Sequence, residues 1–103
     1  MKVKFVGLND LESDEKDLFE NLCVDHCEKF EKHFGRFLKT DNEINLRIKK
    51  YDKDGNRVKY SLHLHLPIQK ADLSASADDW DINLVCKEVF SKLHNEAKRH
   101  YKA

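Results

Sequence analysis

Residues 74–93, SASADDWDINLVCKEVFSKL, change hydrophobic period part-way along. Leu73, Ala75 and Ala77 alternate with Asp72, Ser74 and Ser76, the period of a half-buried strand. From Ile82 onward the apolar positions are Ile82, Val85, Cys86, Val89, Phe90, Leu93 and Ala97, the period of an amphipathic helix. Asp78, Asp79 and Asp81 lie between the two patterns, placed to cap the helix and to meet its positive dipole. A strand therefore feeds directly into the last helix. Trp80, in the acidic turn, is expected to cover the end of the core rather than to stack in the open.

Working back from this stretch, Val58, Tyr60, Leu62, Leu64 and Leu66 alternate with Arg57, Lys59, Ser61, His63 and His65, the clearest strand in the chain. Pro67 is expected to end it, before Ile68-Gln69-Lys70. Asp54-Gly55 is a hairpin signal, and before it Ile44, Leu46 and Ile48 alternate as another strand. A first strand runs from Lys2 to Val6 and stops at Gly7. Ser13 is the expected N-cap of a long helix, with Asp14 and Glu15 in its first turn. That helix carries Leu18, Phe19, Leu22, Cys23, His26, Cys27, Phe30, Phe34 and Phe37 as one apolar stripe and is expected to end near Leu38.

The order is β-α-β-β-β-α, an α+β fold with a four-stranded mixed sheet. The strand–helix–strand crossover makes the first two strands parallel, and two hairpins follow. The two helices then run parallel on one face of the sheet. Phe30, Phe34, Leu62, Leu64, Val85, Val89 and Leu93 are the expected core.

This polarity gathers charge. Lys29, Lys32, Arg36 and Lys39 lie late in the first helix, and Lys92, Lys98, Arg99 and Lys102 late in the second. Both C-termini fall at one end of the domain, with the loop that holds Lys70. The acids Asp14, Glu15, Asp17, Asp78, Asp79 and Asp81 gather at the other end. Converging cations suit a phosphate backbone, with His33 and His100 able to add hydrogen bonds or stacking. Cations at helix C-termini also complement the dipole. The residues alone leave both readings open.

The chain's 103 residues are expected to form a single domain spanning 1–103. Apolar residues make up 40%, too many for a disordered chain, and 37% are charged. No apolar run approaches a membrane span, and the N-terminus does not read as a signal peptide. Formal net charge is zero, against a generic basic nucleic-acid binder, yet the halves differ. Residues 1–45 hold 11 acids and 7 bases, whereas 46–103 hold 8 acids and 12 bases.

Three cysteines without a paired spacing fit a reduced, cytoplasmic chain. Cys23, His26 and Cys27 form a helical C-x-x-H-C, but the cysteines share the core stripe, where a free thiol behaves as a small hydrophobe. His63 and His65 supply two nitrogens with no obvious third ligand. Capping accounts for the aspartates at less cost than a magnesium site. With no Gly-rich phosphate loop, nucleophile elbow or base-paired nucleophile, no enzyme activity, metal, cofactor or small-molecule substrate is expected.

The final strand and helix resemble the ribosome hibernation-promoting factor (ribosome-associated inhibitor A) family in Ala75-Ser76-Ala77, Asp81, Lys92-Leu93 and Lys98-Arg99-His100. Residues 28–36, EKFEKHFGR, are similar to the end of that family's first helix. The order of elements matches over nearly the whole chain. Asn83 stands where the family usually has Tyr, Lys87 where it often has Asp, and Asn95 where a cation is common. The resemblance implies a translation inhibitor that acts by occupancy. It would bind rRNA in the tRNA and mRNA channel of the small ribosomal subunit, through Lys29, Lys32, Arg36, Lys70, Lys92, Lys98, Arg99 and His100. With the sequence ending at Ala103, the dimerisation domain of the family's long members is not expected, and the protein should be a monomer.

Two alternatives stand beside this reading. One is a double-stranded-RNA-binding-like module acting off the ribosome, whose fold also packs two helices on one sheet face. That module normally begins its last helix with lysines, where this chain has Asp78-Asp79-Trp80-Asp81. The other is a protein-interaction module using the acidic end.

Overall fold

In the computed structural model, which describes residues 1–53, 55, 57–68 and 71–101, the alternation of apolar residues becomes the two faces of one sheet. Strand β1 spans Lys2–Val6, helix α1 Ser13–Phe34, β2 Glu43–Lys53, β3 Arg57–Ile68, β4 Ala71–Asp79 and helix α2 Ile82–Tyr101. The strands lie in the order β1-β2-β3-β4. β1 and β2 are parallel, and β2–β3 and β3–β4 antiparallel. The fold is the α+β arrangement expected.

One sheet face carries the core. Ile44, Leu46 and Ile48 of β2 are fully buried, as are Leu62 and Leu66 of β3, with Leu64 beside them at 2% exposure. Phe19, Cys23, Cys27, Phe30 and Phe34 of α1 pack into the same cluster, with Val85, Cys86, Val89, Phe90, Leu93 and Ala97 of α2. The helices run parallel, because their contacts advance together: His26 stacks on Phe90, Phe30 meets His94 edge-on, and Phe37 stacks on Tyr101. The last pair, with ring centroids 4.0 Å apart, closes the C-terminal ends of both helices on each other.

Four local expectations are corrected. The N-cap of α1 is Glu12, not Ser13: the Glu15 carboxylate reaches back to accept from the Glu12 N–H at 2.9 Å, closing a capping box. The α-helix stops at Phe34, and a 3-10 turn over Gly35–Phe37 carries the chain to Leu38. Pro67 does not end β3. It pairs with Asp72 of β4, beyond the last β2 partner at Asn45–His65, where β3 has a neighbour on one side and a missing N–H is tolerated. Trp80 does not cover the core. It is 46% exposed, with the Arg57 guanidinium 4.1 Å from its ring centroid and the Lys59 amine 5.5 Å away.

The cap of α2 follows the acidic pattern. The Asp81 carboxylate accepts from the Leu84 N–H at 3.1 Å, while Asp79 accepts from the Asp81 N–H. Gly7 turns the chain out of β1 at φ 90°, and a Cβ there would run into the Ile48 carbonyl. At the same end of the molecule, Lys50 of β2 donates to Glu15 at 2.7 Å and the Tyr60 hydroxyl donates to the same carboxylate. Burial pushes the Glu15 carboxyl up, but the hydrogen bonds from Lys50, Tyr60 and the Glu12 N–H outweigh it and hold the pKa below its ordinary 4.5. Burial and the bond to Glu15 push the Tyr60 hydroxyl upward in turn. No helix among the described residues is long and apolar enough to cross a membrane.

Candidate nucleic-acid interface

The two parallel helices leave a groove along their seam. It is about 410 Å³ in volume and floored by Phe30 and Phe90. Its rim is Lys29 from α1 and Lys87, Asn95 and Lys98 from α2. Its walls are imidazoles: His26 lies flat on Phe90, with centroids 4.9 Å apart, and His33 meets His94 edge-on at 5.0 Å. Spacings of three and four residues place Lys87, Ser91, His94, Asn95 and Lys98 on one flank of α2 and His26, Lys29, Phe30 and His33 on the facing flank of α1.

Burial, reinforced by Lys29 and partly opposed by Asp25, lowers the His26 pKa below its ordinary 6.5. Burial lowers His94 as well, with His33 and Lys98 adding to the effect. The lowered values favour the neutral form of His26 and His94 near pH 7, while Lys29, Lys87 and Lys98 supply fixed positive charge to the groove. His33 Nδ1 donates to the Lys29 carbonyl at 3.1 Å, which fixes the ring against its own helix. Among the described residues Lys29, Lys87 and Lys98 have no carboxylate within ion-pair distance. Three ammonium groups along a narrow aromatic-floored seam suit an anion with a flat partner, such as a phosphate chain carrying bases.

The expected residues do not all meet here. Lys29 and Lys98 line the groove. Lys32 is exposed next to His33, and the Arg36 guanidinium sits 4.8 Å from the Phe37 ring, just past the end of α1. His100 is exposed at the end of α2, edge-on to Tyr101. Lys92 and Arg99 fall on the other flank of α2. Lys92 donates to the Ser76 carbonyl of β4 at 2.7 Å, and Arg99 pairs with Glu96. Lys70 lies outside the described residues.

Sequence reasoning missed Lys87, Asn95 and His94 as rim and wall, and treated His26 as part of the core stripe. The signal available was their register with the apolar positions. Lys87 and Lys98 are spaced to share a flank, but which flank faces α1 depends on how the helix is rotated on the sheet.

The thiols are core residues. Cys23 and Cys86 face each other across the helices, and their contact with burial holds the Cys23 thiol protonated. Burial pushes Cys27 up to about 12. No group of three or more His, Cys, Asp or Glu side chains gathers in a metal-binding arrangement among the described residues. Ser91 and His94 share the groove, but no hydrogen bond joins them.

No family model and no curated protein matches this sequence. Solved structures do. A ribosomal subunit interface protein from Coxiella burnetii superposes with a TM-score of 0.63 at 13% identity, covering 100% of each chain. The N-terminal domain of Thermus thermophilus Protein Y superposes with a TM-score of 0.57 at 16% identity, covering 97% of this chain and 99% of that one. The chain shares their fold. The resemblance noted in the closing strand and helix is thereby matched in three dimensions, over the whole chain. At this identity the likeness concerns backbone architecture and does not carry over side chains.

Proposed function

We propose that the protein is a ribosome-associated translation inhibitor of the hibernation type, a cytoplasmic monomer whose 103 residues act as one domain. It would bind rRNA in the tRNA and mRNA channel of the small subunit and exclude those ligands, with no chemistry and no cofactor. The observation that carries this reading is the full-length likeness to a protein described as a ribosomal subunit interface protein. The interhelical groove supports it. Lys29, Lys87 and Lys98 are available to phosphates, with Lys32, Arg36 and His100 on the ground around them. Lys92 and Arg99, already engaged on the far flank of α2, would contribute less.

Sedimentation of extracts from starved cells at low salt, probed for this protein, tests the proposal. The protein should travel with ribosomal fractions, and its absence from them would sink the idea. Reversing Lys29 and Lys98 to Glu should release it at lower salt and flatten the salt dependence, since fewer counterions are freed on binding. Reversing Lys92 and Arg99 should do less. Thermal unfolding of both variants separates lost affinity from lost fold.

A further inference from the structure

The face of the sheet turned away from the helices has no covering layer. On it lie Lys4 of β1, Arg47, Lys49 and Tyr51 of β2, and His63 and His65 of β3, lining an open groove of about 700 Å³. The pairing fixes their arrangement. Lys4 stands beside Asn45 and then His65, in one row across three strands; Arg47 stands beside His63 in the next row; Lys49 pairs with Ser61, and Tyr51 with Lys59. Arg47, Lys49 and Tyr51 alternate along one strand, about 6.8 Å apart at each step.

The acids of this face keep to its margins. Glu43 pairs with Lys2 at the start of β1, while Asp72 and Asp78 lie on the edge strand β4. None of them lines the groove. Asp72 lies 3.8 Å from His65, but Lys4, Arg47 and Lys49 have no carboxylate partner among the described residues. A bare sheet would ordinarily be expected to interleave both signs of charge; this one places unpaired cations among flat rings. At one end of the face, Trp80 adds a further aromatic surface beneath Arg57.

We propose that this outer face is a second nucleic-acid site, which holds a single-stranded RNA segment. Lys4, Arg47 and Lys49 take its phosphates, and Tyr51, His63 and His65 offer surfaces on which bases stack. Cationic tracks with interleaved rings are how single strands are held without base reading. A duplex would not exploit the rings, because its bases are already stacked. An acidic peptide would satisfy the cations and leave the rings unused. The site is independent of the interhelical groove, on the opposite side of the sheet, and its existence does not depend on ribosome binding.

The test is fluorescence anisotropy of a labelled 12-nucleotide oligouridine titrated with the full chain. The wild type should bind at low salt. Arg47→Glu with Lys49→Glu should weaken binding about tenfold or more and reduce the salt slope by about 1.4, the value for two lost contacts to a single strand. The milder pair Arg47→Gln and Lys49→Gln should lie between, with its unfolding midpoint checked against wild type. Tyr51→Leu should weaken binding about fivefold or more while leaving the salt slope unchanged, the mark of a lost stacking surface. The inference is overturned if the wild type does not bind, if the folded sheet-face variants bind like wild type, or if reversal of Lys29 and Lys98 causes the larger loss. It is also overturned if a labelled 12-residue oligoglutamate binds more tightly than the oligouridine, which would point to a protein partner.

Discussion

The two faces of the sheet are built from the same strands and differ in every other respect. Leu62, Leu64 and Leu66 point to one side of β3 and are essentially inaccessible; His63 and His65 point to the other and are exposed. On the first side, polar groups are admitted when partnered, as Glu15 is by Lys50 and Tyr60. On the second, Lys4, Arg47 and Lys49 stand without acidic partners among the described residues. One face is organised by the cost of burial, the other by what is left available to an anion. The helices repeat the contrast at a smaller scale: one flank of α2 has Lys92 and Arg99 engaged, while the other opens Lys87 and Lys98 to the groove.

The comparison breaks first at Leu64. Leu64→Ala should cost about 2–5 kcal/mol of unfolding free energy, as core truncations do. His63→Ala and His65→Ala, its neighbours on the same strand, should stay within about 0.5 kcal/mol. Equal losses at the three positions, measured by denaturant titration, would mean that the faces are not distinct.

Next comes Glu15. Glu15→Gln keeps the shape but removes the charge that Lys50 and Tyr60 address, and should cost about 1.5–3 kcal/mol. Because the folded pKa of Glu15 lies below its ordinary 4.5, its contribution is complete above that pH and is lost as pH falls into the acid range. The unfolding midpoint of the wild type should therefore drop below pH 4.5 more steeply than that of the Gln variant.

Asp81→Ala removes the cap of α2 and should cost about 0.5–2 kcal/mol. If it is silent, Asp79 or water replaces the cap.

The histidines of the groove give the smallest effect. His26 and His94 have folded pKa values below 6.5, so the neutral state is favoured in the native protein. Their stabilising contribution is present above pH 6.5 and declines as pH falls through the lowered values. A double His26→Gln, His94→Gln variant should flatten a shallow loss of stability between neutral and mildly acidic pH. A loss that persists unchanged would mean that other groups carry it.

Most of the architecture was legible because each strand and helix states its period plainly. Ile44, Leu46 and Ile48, and the run from Val58 to Leu66, admit one register against a buried face, since a slip of one residue would expose the whole set. Corrections fell where local chemistry competes. Ser13 is the better intrinsic cap, but the reach of Glu15 back to Glu12 moved the helix start by one residue. Pro67 reads as a breaker unless the end of the β2 ladder is known. Trp80 has the bulk of a core residue, but Arg57 and Lys59 hold its ring on the outside. The candidate site was legible only in part. Lys29 and Lys98 were found by counting charge near helix ends, whereas Lys87, His94 and Asn95 depend on the facing of two helices, which no local pattern encodes. For the same reason the sequence does not show that Lys92 and Arg99, expected beside Lys29 and Lys98, lie on the other flank of α2.

The reach of Lys92 across to Ser76 bears on a hazard common to open sheets. β4 is an edge strand, and a bare edge is a template on which another extended chain can assemble. By holding an ammonium against a carbonyl midway along that edge, Lys92 makes strand addition conditional on displacing a charge. A residue whose charge the sequence offers to RNA is engaged, in the folded chain, with the backbone of the edge strand.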